Sequence, residues 1–276
     1  MKILDKKEYI KLVDTVRQVG INNLFARSVI ENKVAGRVYV DQRADPKTCY
    51  IVHPYGMSLL LGDKDNRSFN EIFRRYALNT DEQRDKYEWM QAYPNDWDDT
   101  LTNLFSDVLI KSSENNDKTA HGIIELNTRV NFKFNKDKFL SIRKARNSHE
   151  IQIVKTDRRL FREIKGSVIP KNFWNSEDDF LDNGFSLSLL YKGELASMAF
   201  SSFWFDNQFE LGIETQEKFR GKGLAEIVCS SLIDYCLDNG LTPVWACRLE
   251  NIGSYKLALK LGFEPNITIP YYRLAV

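Results

Sequence analysis

The chain has 276 residues, long for one domain and comfortable for two, so core size is no constraint. Its 39 Lys and Arg balance 38 Asp and Glu, which excludes an overall field that recruits nucleic acid or an anionic membrane and leaves charge selectivity to local sites. The four cysteines, Cys49, Cys229, Cys236 and Cys247, show no metal-like or disulfide-like clustering, no apolar run approaches the ~18 residues that span a bilayer, and MKILDKKEYI is an amphipathic start rather than a secretion signal. Together these features predict a soluble cytoplasmic protein with reduced thiols and no membrane partner.

In chain order, the apolar positions from Lys2 to Asn32 recur at threes and fours around Gly20 and predict two helices. Arg37 to Asp41, Thr48 to Val52 and Met57 to Leu61 are short β-type runs separated by turn-prone segments, an antiparallel meander. A helix is expected from about Phe69 to Ala77. The segment EWMQAYPNDWDDTLTNLF is rich in aromatics and carboxylates, and Asn95 or Asp96 can cap a helix after Pro94. Asp96, Asp98 and Asp99 around Trp97 are either a receptor for a cationic amine or simply acids in the first turn of that helix. The polar stretch Lys111 to Lys118 reads as a loop and a boundary. It divides the chain into an N-terminal α+β domain, residues 1–118, a connecting segment, 119–142, and a C-terminal domain, 143–276.

Beyond that loop, Arg129 to Phe134 alternates as a strand, and Glu150 to Thr156 is a second. Two helices should come next, one over DRRLFREI and one opened near Ser176, where Ser-x-x-Asp179 is a capping-box pattern. Phe185 to Tyr191, Lys192-Gly193, and Glu194 to Phe205 read as a hairpin with a tight turn. In FELGIET, Phe209, Leu211 and Ile213 face one way and Glu210, Gly212 and Glu214 the other, the period of a half-buried strand. After it come Arg220-Gly221-Lys222-Gly223-Leu224-Ala225 and a helical face of Leu224, Val228, Leu232 and Tyr235/Cys236, stopping at Asn239-Gly240. A strand feeding a glycine-rich, basic turn and a helix collects free N–H groups, a positive dipole end and cations at one place, which suits phosphate. The nucleoside-triphosphate loop G-x-x-x-x-G-K-[ST] is absent, and Glu226 stands where the dinucleotide fingerprint needs a third Gly or Ala.

What remains, Arg220-x-x-Gly223-x-Ala225, resembles the acyl-CoA pyrophosphate loop [QR]-x-x-G-x-[GA] of the GNAT acyltransferase superfamily. Asn251-x-x-Ser254-x-x-Leu257-Ala258-x-Lys260-x-Gly262-Phe263 resembles the family's second signature, a helix opened by Asn and closed by a Gly-Phe that starts the next strand. A strand over Thr242 to Arg248 lies between the two. The resemblance covers about Arg143 to Val276 and implies an α/β (α+β) fold with a central, mostly antiparallel sheet flanked by helices and a final strand pair ending in TIPYYRLAV. The N-terminal half carries no GNAT signature, but its helix, helix, three-strand, helix order is like the front of a GNAT domain, which leaves open a degenerate second copy.

The resemblance further implies acetyl-CoA as cosubstrate, with its pantetheine arm along the backbone of Ile213, Glu214 and Thr215 and its pyrophosphate on Phe219, Arg220, Gly221, Lys222, Gly223, Leu224 and Ala225, Lys218 adding charge. Asn251 and Ser254 are further cofactor contacts or helix-capping residues. The implied reaction is acetyl transfer to the amine of a small molecule, such as an amino sugar, aminopolyol or polyamine, by direct attack in a ternary complex. Glu210 is the first candidate for general base and Glu214 the second; the alternative is a solvated strand face. The Tyr that the family often has as general acid is replaced by Ala258, so Tyr255, Tyr271 and Tyr272 are the candidates for that role. Phe203-Trp204-Phe205 and Trp174 could wall the acceptor pocket, pack in the core or form a homodimer surface. Cys247 reads as a small buried thiol. His53, His121 and His149 stand alone as surface or turn residues, and no metal site is expected. Two other functions stay open: a catalytically weak acyl-CoA-binding regulatory module, and a tandem-GNAT aminoacyl transferase.

Overall fold

Alternating and helical runs assemble into two units in the computed structural model, which describes residues 1–114, 122–143 and 149–276. The first unit is Met1–Val130 with Arg248–Glu250 and Ile267–Val276; the second is Asn131–Cys247 with Asn251–Asn266. His121 and the 115–118 part of the expected boundary loop lie outside the described residues.

The first unit begins with a short strand β1 (Lys2–Ile3), a 3-10 turn (Lys6–Leu12) running into α1 (Val13–Arg17), and α2 (Leu24–Ile30) beyond Gly20. All of α2 is buried, with Arg27 tied to Glu31 at 3.0 Å. Next come β2 (Arg37–Val40), β3 (Thr48–Val52) and β4 (Met57–Gly62), the expected antiparallel meander, with Tyr39 opposite Tyr50 and Tyr50 opposite Leu60. The helix α3 (Arg67–Ala77) lays Phe69, Phe73 and Tyr76 on one buried face, their four- and three-residue spacing being that of a helix stripe. After it, β5 (Glu88–Tyr93) returns parallel to β4, from Met57 opposite Trp89 to Leu61 opposite Tyr93. Sequence periodicity gives no hint of β5, because Glu88 and Gln91 are as buried as its apolar residues.

Glu88 accepts from the hydroxyls of Tyr50 and Tyr76. Burial raises its carboxyl and both phenols above their ordinary ranges. Arg84, only 3% exposed, donates to the carbonyls of Tyr76 and Ala77 at the end of α3 and of Leu274 and Ala275, so four backbone acceptors are satisfied by one guanidinium. The helix α4 (Trp97–Leu104) starts after Asp96, whose side chain makes no capping bond, and Trp97 is fully buried with its indole N–H on the Gly62 carbonyl at 3.0 Å. Its ring is core, not a face offered to an ammonium group. Burial and the neighbouring Asp99 and Asp96 raise the Asp98 carboxyl. β6 (Leu109–Lys111) pairs in parallel with β7 (Ile124–Phe134), which starts five residues before the expected strand. His53 is buried at the turn between β3 and β4, not at the surface, and burial with Lys86 nearby pushes its imidazole down to about 3.

In the second unit, α5 (Lys136–Ile142) precedes β8 (Ile151–Lys155), then α6 (Arg158–Glu163) and α7 (Glu177–Asn183). Ser176 caps α7 by accepting from Asp179 N, as its pattern predicts. β9 (Ser186–Tyr191) and β10 (Glu194–Phe205) form the expected hairpin, whose turn places Lys192 and Gly193 at φ 53° and 82°. β11 (Gln208–Thr215) continues the meander, α8 (Leu224–Asp238) crosses over, and β12 (Thr242–Val244) returns parallel to β11. The sheet order is β12-β11-β10-β9-β8, antiparallel except for that last pair. The chain closes with β13 (Ala246–Arg248), α9 (Ile252–Lys260) and β14 (Phe263–Leu274).

Three expectations do not hold. Thr242 to Arg248 is two strands broken at Trp245, and β13 belongs to a different sheet from β12. The final strand pair is a single twelve-residue strand that runs through Pro265 and Pro270, residues whose ring-fixed φ is compatible with an extended chain. Residues 267–274 of it serve the first unit, Tyr272 pairing with Met90 on β5. Finally, β11 is buried on both faces, not half-buried, with Glu210 at 5% and Glu214 at 8% exposure.

Candidate active site

The second unit positions its candidate residues along one strand, one turn and one helix start. β10 pins β11 on one side, and a bulge at Ser202 brings Phe203 opposite Glu210 while Ser201 faces Leu211. The Ser202 hydroxyl donates to the Glu210 carbonyl at 3.0 Å. On the other side, β12 pairs only with Gln208, Phe209 and Glu210. The chain then turns away: the Trp245 carbonyl accepts from Phe132 N on β7. From Leu211 to Thr215 no described strand pairs with that edge of β11. A strand edge left open beside a divergent neighbour can accept an extended ligand as an added strand.

The turn beyond β11 is built from the inside out. Phe219 is buried against Tyr191, anchoring a 3-10 turn (Glu217–Phe219) in which Phe219 N bonds Gln216 O and Arg220 N bonds Glu217 O. Those two N–H groups are therefore committed, and the expected run of donors is shortened to the residues after them. Gly221 and Gly223 have φ 79° and 76°, a region that costs a side-chain-bearing residue strain. Gly223 is the N-cap of α8 and supplies no side-chain cap, whereas Asn135, Asp157, Ser176 and Asn251 cap α5, α6, α7 and α9. The first N–H groups of the 15-residue α8, including those of Leu224 and Ala225, have no intrahelical acceptor. Lys222 and Arg220 are exposed at this turn, while Lys218 is paired with Glu194 and lies over the Phe219 ring.

Glu210 and Glu214 lie on the same face of β11, four residues or about 13 Å apart along a strand. Their environments differ. Glu210 is the last residue of β11 that β12 covers. Glu214 accepts from Ser167 N at 3.0 Å and Val168 N at 3.1 Å with one oxygen, and from Arg220 Nη2 at 3.3 Å with the other. Its carboxylate closes so tightly on the segment before the second helix that a Cβ at Gly166 would meet it at 2.2 Å. The sequence carries no signal for this contact, since Ser167 and Glu214 are 47 positions apart.

Asn251 caps α9 by accepting from Ser254 N at 3.2 Å, and the Ser254 hydroxyl accepts from the Trp245 indole N–H at 3.2 Å. Ala258 is fully buried. Of the three tyrosines considered for its missing phenol, Tyr255 lies on α9 in the second unit, half-buried against Phe132. Tyr271 and Tyr272 belong to the first unit. There Tyr271 stacks on Trp89, and Tyr272 is a core residue whose phenol burial pushes up. Phe203 and Phe205 are buried, Phe203 against Phe173, and the Trp174 indole donates to Ser201 O, so these aromatics are packed, with Trp204 part-exposed. All four cysteines are buried and none is in a disulfide, and burial pushes Cys49 and Cys236 up to about 12. No helix among the described residues is long and apolar enough to cross a membrane.

The first unit holds a cavity of about 530 Å³ whose rim includes Arg37, His53, Glu82, Asp85 and Lys86. It mixes both charge signs, and Lys86 is already bonded to Pro54 O.

Comparison with known proteins bears on the family and the fold. A family model described as GNAT acetyltransferase matches residues 18–272. The chain is 26% identical over 261 residues to an uncharacterized N-acetyltransferase, YdfB, of Bacillus subtilis, covering 95% of this chain and 94% of that protein. Among solved structures, a GCN5-related N-acetyltransferase-like protein from Streptococcus suis superposes with a TM-score of 0.68 at 21% identity, over 97% of this chain and 99% of that one. A tandem GNAT protein from the clavulanic acid biosynthesis pathway superposes with a TM-score of 0.61 at 11% identity, over 98% and 95%.

Proposed function

The chain belongs to the GNAT acetyltransferase family, and from that premise we propose that its second unit transfers an acetyl group from acetyl-CoA to a primary amine of a small molecule. The observation that carries this reading is the end of the β11–β12 pairing at Glu210, next to an uncapped glycine turn. The open edge at Ile213 to Thr215 takes the pantetheine amides, and the turn from Gly221 to Ala225 takes the pyrophosphate. Neither suffices alone. An anion at a helix N-terminus gains about 0.3–1 kcal/mol, while micromolar affinity needs about 8 kcal/mol, so strand-like pairing must supply much of the remainder.

Glu210 acts as general base, directly or through a water, because it stands where the strands part and is nearly shut from solvent. It removes a proton from the ammonium form so that the neutral amine attacks the thioester carbonyl. A β11 N–H beyond Glu210 stabilises the negative charge that develops on that oxygen. The departing thiolate is a weak base and can leave unprotonated, so buried Ala258 in place of a phenol does not stop the reaction; Tyr255 is the group available to protonate it.

Calorimetric titration with acetyl-CoA and with free CoA tests the binding half. Micromolar affinity for both is expected, and no binding of either would overturn the proposal. Thiol release over an amine panel tests the chemistry. Tight binding with no turnover would favour the second reading, an acyl-CoA-binding regulatory module, which the loss of the phenol at Ala258 supports.

A further inference from the structure

Glu214 joins two parts of the second unit that are far apart in sequence. One oxygen holds the amides of Ser167 and Val168, in an exposed segment fixed further by Asn172 Nδ2 on Ser167 O at 2.8 Å. The other oxygen holds Arg220 Nη2, beside the turn proposed to take the pyrophosphate. Nε of the same guanidinium donates to the Thr215 carbonyl at 3.1 Å, a contact that can keep the side chain at the turn while Nη2 changes partner. Its side chain is 62% exposed while that of Glu214 is 9% exposed: the cation is accessible to an incoming anion and the carboxylate is not.

We propose that Glu214 is a positioning residue that links occupation of the phosphate turn to the grip on residues 166–168, which lie over the same face of β11 as Glu210. The link rests on the acyl-CoA reading, in which a phosphate competes for Arg220. Guanidinium and amides share one carboxylate. When the anion draws Arg220 away, the charge of Glu214, shut from water, is left to the two amides, whose charge-assisted bonds then strengthen. Gly166, at φ 148° with its backbone against the carboxylate, lets the segment come this close. The segment thus becomes tightest when the cosubstrate is bound, as an element poised over the reacting face requires.

Amide hydrogen exchange at Ser167 and Val168 tests the link. In the protein without ligand, Glu214→Ala should speed both amides about tenfold, and Glu214→Gln, which keeps the shape and loses the charge, should speed them by less. Arg220→Ala should slow them about two- to fivefold, the opposite of what loss of a mere structural brace would do. Saturating acetyl-CoA should slow them in the wild type and have little effect in Glu214→Gln or Arg220→Ala. Faster exchange in Arg220→Ala, or binding of acetyl-CoA measured in the same sample with no change at either amide, overturns the link and leaves the acyl-CoA reading standing. Absence of acetyl-CoA binding overturns both.

Discussion

The two units each contain a strand, a turn, a helix and a parallel return strand, β4-α3-β5 and β11-α8-β12, and their turns differ in the groups they leave for a ligand. In the first unit the turn after Gly62 is Asp63-Lys64-Asp65-Asn66. Asn66 caps α3 by accepting from Phe69 N, Asp63 accepts from Asp65 N, and two carboxylates flank a helix start that is already closed. In the second, two glycines with positive φ replace the acids and the cap is left open. The strands differ in the same sense. β4 and β5 pair over five residues without a gap, whereas β11 and β12 part after three. One topology thus yields a sealed scaffold or an open site, depending on a few turn residues and on where a neighbouring strand departs.

Several substitutions break or sharpen this contrast. Glu210→Gln should lower kcat about 10²- to 10⁴-fold, the range for loss of a general base, with CoA affinity changed less than about twofold; retained turnover would remove Glu210 from the base role. In the first unit, His53 is neutral in the fold, its pKa down at about 3, against an unfolded value near 6.5. The unfolded chain therefore binds the extra proton, so His53 contributes full stability above about pH 6.5 and loses it as the pH falls toward 3. The loss by pH 4.5 is roughly 2–3 kcal/mol at 1.36 kcal/mol per unit. Amide exchange in β3 and β4 at pH 7.5 and 4.5 reads it, and a His53→Gln variant should lack that component.

Next in size is Gly223→Val, which forces a β-branched residue to φ 76° and crowds the turn. It should weaken CoA binding about tenfold or more, whereas Asp65→Asn at the first unit's closed turn should leave calorimetric affinity unchanged. Equal effects from both would mean that the turns are not functionally distinct. Smallest is Lys218→Ala: its ion pair with Glu194 is exposed, so the unfolding free energy from denaturant titration should move by less than about 1 kcal/mol and CoA affinity by less than about threefold.

The fold was largely legible where a pattern is local. The β2-β3-β4 meander, the β9-β10 hairpin and the Ser176 and Asn251 helix starts come from period-two alternation and capping chemistry that neighbouring residues decide. The misses have a common cause. β5 escaped because its buried polar residues are hydrogen-bonded from other elements, Glu88 by Tyr50 and Tyr76 and Gln91 by the Asn22 carbonyl. Trp97 looked available until Gly62 and the core took it. The break at Trp245 arises because β7 draws the chain away, which nothing in TPVWACR announces.

By itself the sequence determined the family, through Arg220-x-x-Gly223-x-Ala225 and Asn251 to Gly262-Phe263, because a turn with positive φ and a capped helix are written in a handful of adjacent residues. Only the tertiary structure decided which glutamate stands at the parting of the strands and which is bound by Ser167, Val168 and Arg220. Both alternate identically along β11, and a side chain's chemical role is set by the groups that other parts of the chain bring to it.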